Sequence, residues 1–289
     1  MNGESNTEKA EAFANHTNGV TLSVKEAISL PVEADSITPD LFVERTNSEI
    51  KNLPLFCGRR EVNVGDLFTV EGETADKIII KGDVKNYKKI GQNMTRGRIT
   101  VAGDVGMHLG AYMQGGEIIV HGDVHDWAGA HMQGGIIRIK GNGGHFAGAG
   151  YPGEKRGANR GAILIEGNAG NETGARMRRG LIVVMGDAGE FTGANLIAGS
   201  IFVFGRLGER AGAGNKRGSI VAMGDTAPLL PTYHYQCRFQ PVYLRVYLRC
   251  IRSWGLPVSD DQIDGYFRRF SGDITTLGKG EILIHDQRK

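Results

Sequence analysis

The chain has 289 residues, 34 of them basic and 32 acidic, and its formal net charge of +2 singles out no polyanionic partner. No apolar run reaches the roughly 18 residues that a membrane helix needs, and residues 1–18 are polar, without the apolar centre of a signal peptide. Three widely spaced cysteines, Cys57, Cys237 and Cys250, read as free thiols of a reducing compartment, so a cytoplasmic protein with no membrane partner is expected.

Residues 1–36 are rich in Glu, Asn, Ser and Thr and are expected to wander or lie extended on a surface, as a polar N-terminal extension. Residues 37–61 read as a short helical segment. Thr38 caps it, Pro39 occupies its first turn, and Leu41, Phe42, Ile50 and Leu53 are its apolar contacts. Gly65-Asp66 then reads as a degenerate first turn, over residues 62–72, of the repeat that follows.

That repeat dominates the chain. Of the 44 glycines, 34 lie between Gly82 and Gly224. Copies begin at Gly82, Gly103, Gly122, Gly141, Gly167, Gly186, Gly205 and Gly224, nineteen residues apart except for one step of 21 and one of 26. A fixed period of this length is the mark of a solenoid. Counting each first glycine as position 0, position −4 is isoleucine in every copy, from Ile78 to Ile220, and position −2 is Ile, Val or Ala. This period-two pattern of branched side chains fits a parallel strand with one face turned inward. Position 1 is mostly Asp or Asn, which is turn chemistry after a glycine. Positions 7 and 13 are always glycine, and Met94, Met113, Met132, Met177 and Leu196 share position 10 as a second inward column. The expected fold is therefore all-β: a parallel β-helix over residues 62–225, with coils of about 19 residues stacked at about 4.8 Å into a prism roughly 35 Å long. The seven extra residues of the fourth coil place a protruding loop near Tyr151–Gly157.

Residues 226–289 read as a segment that caps the open sheet edge and contacts partners. A helix is expected over residues 241–254, with Val242, Val246 and Cys250 on one side and Tyr243, Tyr247 and Ile251 on an adjacent stripe. Ser259-Asp260-Asp261-Gln262 reads as a capping box for a second helix that ends near Phe270, and Gly280–Ile284 reads as a last strand.

Catalytic signatures are weak. Gly148-Ala149-Gly150-Tyr151-Pro152-Gly153 fits G-x-G-x-x-G, but no helix follows to face a pyrophosphate. His108, His121, His125, His131 and His145 fall at scattered registers, unlike a converging metal-ligand set. The position-1 carboxylates could line a polysaccharide groove, yet turn chemistry already explains them. No G-x-S-x-G elbow is present. No catalytic or metal-binding residue is assigned. The most suggestive column is basic: Arg96, Arg160, Arg179 and Arg217 at position 12, beside Arg178 and Lys216 at position 11. With Arg176, Lys155 and Arg156 they make one corner positive. Stacked like charges call for an acidic neighbour, a subunit or an anionic ligand. Nucleic acid is not expected, because no aromatic side chains interleave with the charges.

The repeat Gly186-Asp187-Ala188-Gly189 … Gly193-Ala194 … Gly199 resembles the C-terminal β-helix domain of glutamate synthase, and more closely the C subunit of formylmethanofuran dehydrogenase. Phe267-Arg268-Arg269-Phe270-Ser271-Gly272-Asp273 and Gly278-Lys279-Gly280-Glu281-Ile282-Leu283 resemble that subunit's C-terminal signature. Residues 229–249 and Thr38-Pro39-Asp40 also match, so the resemblance spans about residues 37–284. It implies a right-handed coil and a scaffold role. It further implies a complex that moves a formyl group from tetrahydromethanopterin to a methanofuran-type carrier and releases formate. Chemistry would then reside in partners: a zinc amidohydrolase-like subunit, a formyltransferase subunit and a molybdopterin-enzyme-like subunit. Two other readings stay open: the C subunit of a molybdenum or tungsten dehydrogenase, and a free-standing polysaccharide-acting β-helix enzyme. Carriers of this type bear glutamate tails, which the basic corner is expected to hold.

Overall fold

The structure is a computed structural model and describes residues 19–73 and 76–286. It is mostly β, with 31% strand and 11% helix. Strand alternation at each repeat explains why. In β6 (Lys77–Lys81), β8 (Arg98–Val101), β9 (Glu117–Val120), β10 (Ile136–Ile139), β11 (Ala162–Ile165), β12 (Leu181–Val184), β13 (Ser200–Val203) and β14 (Ser219–Ala222), the position −4 isoleucine is at most 1% exposed. These strands pair in parallel and in register, isoleucine beside isoleucine, as in Ile99↔Ile118 and Ile182↔Ile201. A second parallel column of single bridges runs Val84↔Val105↔Val124 and on to Leu207↔Thr226. From Gly110 to Gly212 each position-7 glycine donates its N–H to the preceding repeat, as Gly129 does to the Leu109 carbonyl at 2.8 Å, whereas Gly91 donates to the Ile37 carbonyl. The position-10 side chains are all buried, and Ala158 and Asn215 complete their column. Asn215 is tolerated there because its amide donates to the Gly218 carbonyl and accepts from the Gly218 N–H.

Thirteen strands form the large sheet, and its ends depart from the sequence reading. β1 (Val20–Val24), from the segment expected to wander or lie on a surface, pairs in parallel with β6 as the next strand of the stack. Val20 and Leu22 are fully buried, so they close the core. The expected degenerate coil over residues 62–72 is not one. Asn63 and Asp66 cap a short helix, Val64–Leu67, and β5 (Phe68–Glu71) then runs antiparallel to β1 as the edge strand. Residues 1–18 of the polar extension lie outside the described residues. Thr38 does cap a helix, Pro39–Phe42, and a capping box of Thr46 and Glu49 opens a second one, Asn47–Lys51. β2 (Val32–Glu33), β3 (Pro54–Cys57), β4 (Arg60–Asn63) and β7 (Tyr87–Lys88) form a small second sheet.

At the other end β17 (Gly280–Asp286) extends the parallel stack beside β14. β16 (Tyr266–Gly272) and β15 (His234–Phe239) follow it antiparallel. The Ser259 capping box forms, but its helix, Asp260–Ile263, is short, and Phe267 and Phe270 lie in β16. The helix Val242–Ser253 is as expected in extent, while its inner face is Leu244, Leu248 and Ile251. These pack on the outer face of the sheet against Leu164, Val183, Phe202 and Val221, which makes a second core. Val242 and Val246 point outward, at 66% and 71% exposure. Strands β11 to β13 are consequently buried on both faces, whereas β8 to β10 alternate. Arg138 marks where the cover stops. Its guanidinium binds the Trp254 carbonyl at the helix end and the Glu166 carboxylate, both at 2.7 Å.

Candidate functional site

From Asp104 to Arg206 the position-1 residues form a hydrogen-bond ladder, while Asp83 accepts from the Lys85 N–H of its own turn. Asp104 accepts from the Asp123 N–H, Asp123 from Asn142, Asn142 from Asn168, Asn168 from Asp187 and Asp187 from Arg206, at 2.6–2.8 Å. Their acceptor capacity is used in holding one repeat to the next, which supports a turn role over acid–base chemistry. A second ladder was not foreseen: Asp126 accepts from the His145 N–H, and His145 Nδ1 accepts from the Asn171 N–H at 2.9 Å. His145 is thus a turn residue. No group of three or more His, Cys, Asp or Glu side chains among the described residues is placed to hold a metal ion.

The corner carrying the basic column has its own construction. On either side of the position-7 glycines the backbone turns left-handed at non-glycine residues: His108, Trp127, Phe146 and Phe191 at position 5, and Tyr112, His131 and Arg176 at position 9. Left-handed backbone costs about 1–2 kcal/mol per L-residue. Ring stacking along the column offsets part of it. Trp127 and Phe146 stack at 4.3 Å and 10°, and Tyr112 and His131 at 4.9 Å and 8°. The inserted loop begins here. Its Tyr151 N–H donates to His131 Nε2 at 2.9 Å, and its hydroxyl lies 2.8 Å from His108 Nδ1. Two histidines from different coils therefore clamp the start of the loop, while residues 152–156 are exposed. Burial holds His131 below the ordinary histidine range, opposed only by Glu154. Burial also lowers His108, helped by Lys88 and Lys89. The Tyr151 phenol is pushed up to about 12, first by burial and then by Tyr112.

His131 can accept from Tyr151 only while Nε2 is unprotonated. Its folded value lies below its unfolded value, so the clamp contributes fully above about pH 6.5. That contribution is lost as pH falls through the unfolded value toward the folded one. Trp127, whose ring is 5.0 Å from Tyr151, should report this. In a Trp254→Phe background, its emission is expected to shift as pH drops from about 7.5 to about 5, and not in His131→Gln. A flat wild-type profile would rule the clamp out.

The loop separates two open clefts. One, of about 400 Å³, is lined by Glu154, Lys155, Arg176, Asn195, Ile197 and Lys216. The other, of about 480 Å³, is lined by Tyr112, His131, Gln133, Glu154, Lys155, Arg156 and Asn159. The Asn159 Oδ1 is buried with no hydrogen-bond partner among the described residues. Of the six basic residues singled out from sequence, Lys216 lines the first of these two clefts and the other five line neither. Arg96, Arg160, Arg179 and Arg217 stand exposed on the adjoining edge, Arg178 is half-buried, and Gly115 and Gly134 separate Arg96 from the others. No carboxylate of the described residues pairs with any of the six, whereas Arg98, Arg138, Lys140 and Arg210 all have acidic partners. The aromatic columns were the missed part of this corner. Large rings recurring at positions 5 and 9 were their signal in the sequence.

Fold and corner together define a class: a mostly-β protein with a large sheet of in-register parallel strands, whose repeated polar residues tie one repeat to the next, and with a basic edge that no carboxylate of the described residues pairs. No family model matches the chain. Among solved structures, a chain of the formyltransferase/hydrolase complex (FhcABCD) from Methylorubrum extorquens in complex with methylofuran matches with a TM-score of 0.87 and 34% identity, over 92% of this chain and 100% of that one. The C subunit of the tungsten-containing formylmethanofuran dehydrogenase 2 of Methanothermobacter marburgensis is 47% identical over 97 residues, 32% of this chain and 36% of the relative. The C subunit of the molybdenum-containing formylmethanofuran dehydrogenase 1 of Methanothermobacter thermautotrophicus is 43% identical over 94 residues, 32% of this chain and 24% of the relative. The chain belongs to the family of formylmethanofuran dehydrogenase C subunits. Its match spans 36% or less of the length of these curated relatives.

Proposed function

We propose that this chain is the non-catalytic scaffold subunit of a complex that transfers a formyl group from formyl-tetrahydromethanopterin to a methanofuran-type carrier and hydrolyses it to formate. The stacked strands are read as a right-handed parallel β-helix. The observation that carries this proposal is the likeness to a chain of the FhcABCD complex over 92% of this sequence. Zinc and the bond-making groups belong, on this reading, to amidohydrolase-like and formyltransferase partners, beside a molybdopterin-enzyme-like subunit. The chain acts in the cytoplasm. No helix of the described residues is long and apolar enough to cross a membrane.

The glutamate tail of the carrier is assigned to the basic edge of Arg96, Arg160, Arg178, Arg179, Lys216 and Arg217. Its unpaired cations support the fit, since carboxylates would supply the charge that the described residues do not. Arg179→Glu with Arg217→Glu is expected to weaken carrier binding by the assembled complex about tenfold, or ~1.4 kcal/mol, with assembly intact. Unchanged affinity at low salt would remove the assignment. A second reading, the C subunit of a molybdenum or tungsten dehydrogenase, is favoured by the 47% identity to the tungsten relative. Purifying the tagged chain from its host and identifying its companions separates the two. A formyltransferase subunit supports the first reading, and a bound pterin metal the second.

A further inference from the structure

Most of the large apolar side chains left exposed among the described residues fall between residues 235 and 277, including Tyr235, Val242, Tyr243, Val246, Tyr247 and Tyr266. Four of them share the helix Val242–Ser253. Its inner face is fully used, because Leu244, Leu248 and Ile251 fill the second core. The outer face is not explained by the fold. Val242 and Val246 are branched at Cβ, which restricts their rotamers in a helix, and both stand more than half exposed. An ordinary solvent face would carry Lys, Glu or Ala there. Val242, Val246 and Arg249 follow one another at i, i+4 and i+7, so they form a single stripe, and Tyr243 and Tyr247 flank it.

Charge decides what covers this stripe. The helix contains three arginines and no acidic residue. Arg245 pairs with Asp264 and Arg252 with Asp260, whereas Arg249 is exposed without an acidic partner among the described residues. A second copy of the chain, docked about a twofold axis through this helix, would set the stripe against itself and arginine against arginine. A different polypeptide with an apolar groove edged by carboxylates fits both the valines and the charge. The solved relative, moreover, is held in a complex named for four components.

We propose that the outward stripe of Val242, Val246 and Arg249, with Tyr243 and Tyr247, is the docking surface for another subunit of the complex, which receives it in an acid-rimmed apolar groove. This rests on the reading of the chain as one member of a complex. On docking the valines leave water and Arg249 gains a carboxylate, the pattern of an interface core and rim.

The test uses the complex purified through a tag on this chain. Val246→Glu is a surface change, expected to leave the melting temperature of the isolated chain within about 2 °C of wild type, as surface substitutions do. Against that unchanged fold, one other subunit should be lost from the purified complex. Arg249→Glu should weaken the same association at least tenfold and speed its dissociation. A photo-crosslinker placed at residue 246 should join that same subunit. Full retention of every subunit by Val246→Glu, or a crosslink from residue 246 to a second copy of this chain, would overturn the proposal. A wild-type chain that purifies alone would defeat the reading as a complex member and this surface with it. An intact wild-type complex indifferent to both substitutions would defeat this surface only.

Discussion

Replacing Gly135 with valine is expected to destabilise the protein by about 3–5 kcal/mol, measured as a lower denaturation midpoint. Two effects add. Gly135 has a φ of +81°, where an L-residue pays about 1–2 kcal/mol and a branched one more. A Cβ there would also sit 2.7 Å from the Gly116 carbonyl oxygen and 3.0 Å from the Gly115 carbonyl carbon of the preceding coil. That backbone cannot retreat, because the Gly116 carbonyl accepts from the Ile136 N–H at 3.0 Å. Gly153 is the control. It lies in the inserted loop at φ +87° and a Cβ would meet nothing within 4 Å. Gly153→Val should therefore cost about 1–2 kcal/mol, the dihedral contribution alone. Equal losses at the two sites would show that close stacking of coils is not what the corner glycine serves.

Removing the Asp273 side chain should cost about 2–4 kcal/mol, because it leaves buried donors without an acceptor. Asp273 is 4% exposed. Its carboxylate accepts from the Gly214 N–H at 3.0 Å, and from the N–H and hydroxyl of Thr275 at 2.9 and 2.7 Å. Its own N–H and the Thr276 hydroxyl both reach the Asn215 carbonyl. The turn between β16 and β17 is thereby stapled to the Gly214-Asn215 segment of the last repeat. Burial pushes this carboxyl up, but hydrogen bonds from Gly214, Thr275 and Thr232 outweigh burial and hold it below the ordinary aspartate range. A lowered folded value means that the stabilisation is present above the unfolded value, about pH 3.9, and is lost as pH falls through the folded one. Wild type and Asp273→Asn should thus differ at neutral pH and converge in acid. A stability gap of the same size at about pH 7 and about pH 2.5 would show that the charge of Asp273 contributes nothing.

The inward columns were legible because one residue type returns at one register: eight isoleucines at position −4 admit a single stacked strand face. The Asp and Asn column was legible as turn chemistry, and its ladder is the tertiary form of that local preference. Two kinds of feature escaped. β1 carries none of the repeat's glycines, so nothing local showed that Val20 and Leu22 would pair with β6. The helix Val242–Ser253 carries apolar residues on more than one stripe. Periodicity grouped Val242, Val246 and Cys250 on one side and Tyr243, Tyr247 and Ile251 on an adjacent stripe, but contact with the sheet selected Leu244, Leu248 and Ile251 as the inner face.

At the corner, the basic residues could be read as a column, but only the structure separated those that line a cleft, such as Lys216, from those on its edge. The clamp on the inserted loop brings together His108, His131 and Tyr151, separated by as many as 43 residues. By itself the sequence determined the repeat, its strand faces and its glycine corners, because those depend on spacing within one coil. Which strand closes each end, which helix face is inward and which cations share a cleft were decided by tertiary structure. Those depend on contacts between segments far apart in the chain, where burial and charge pairing are settled and local pattern says nothing.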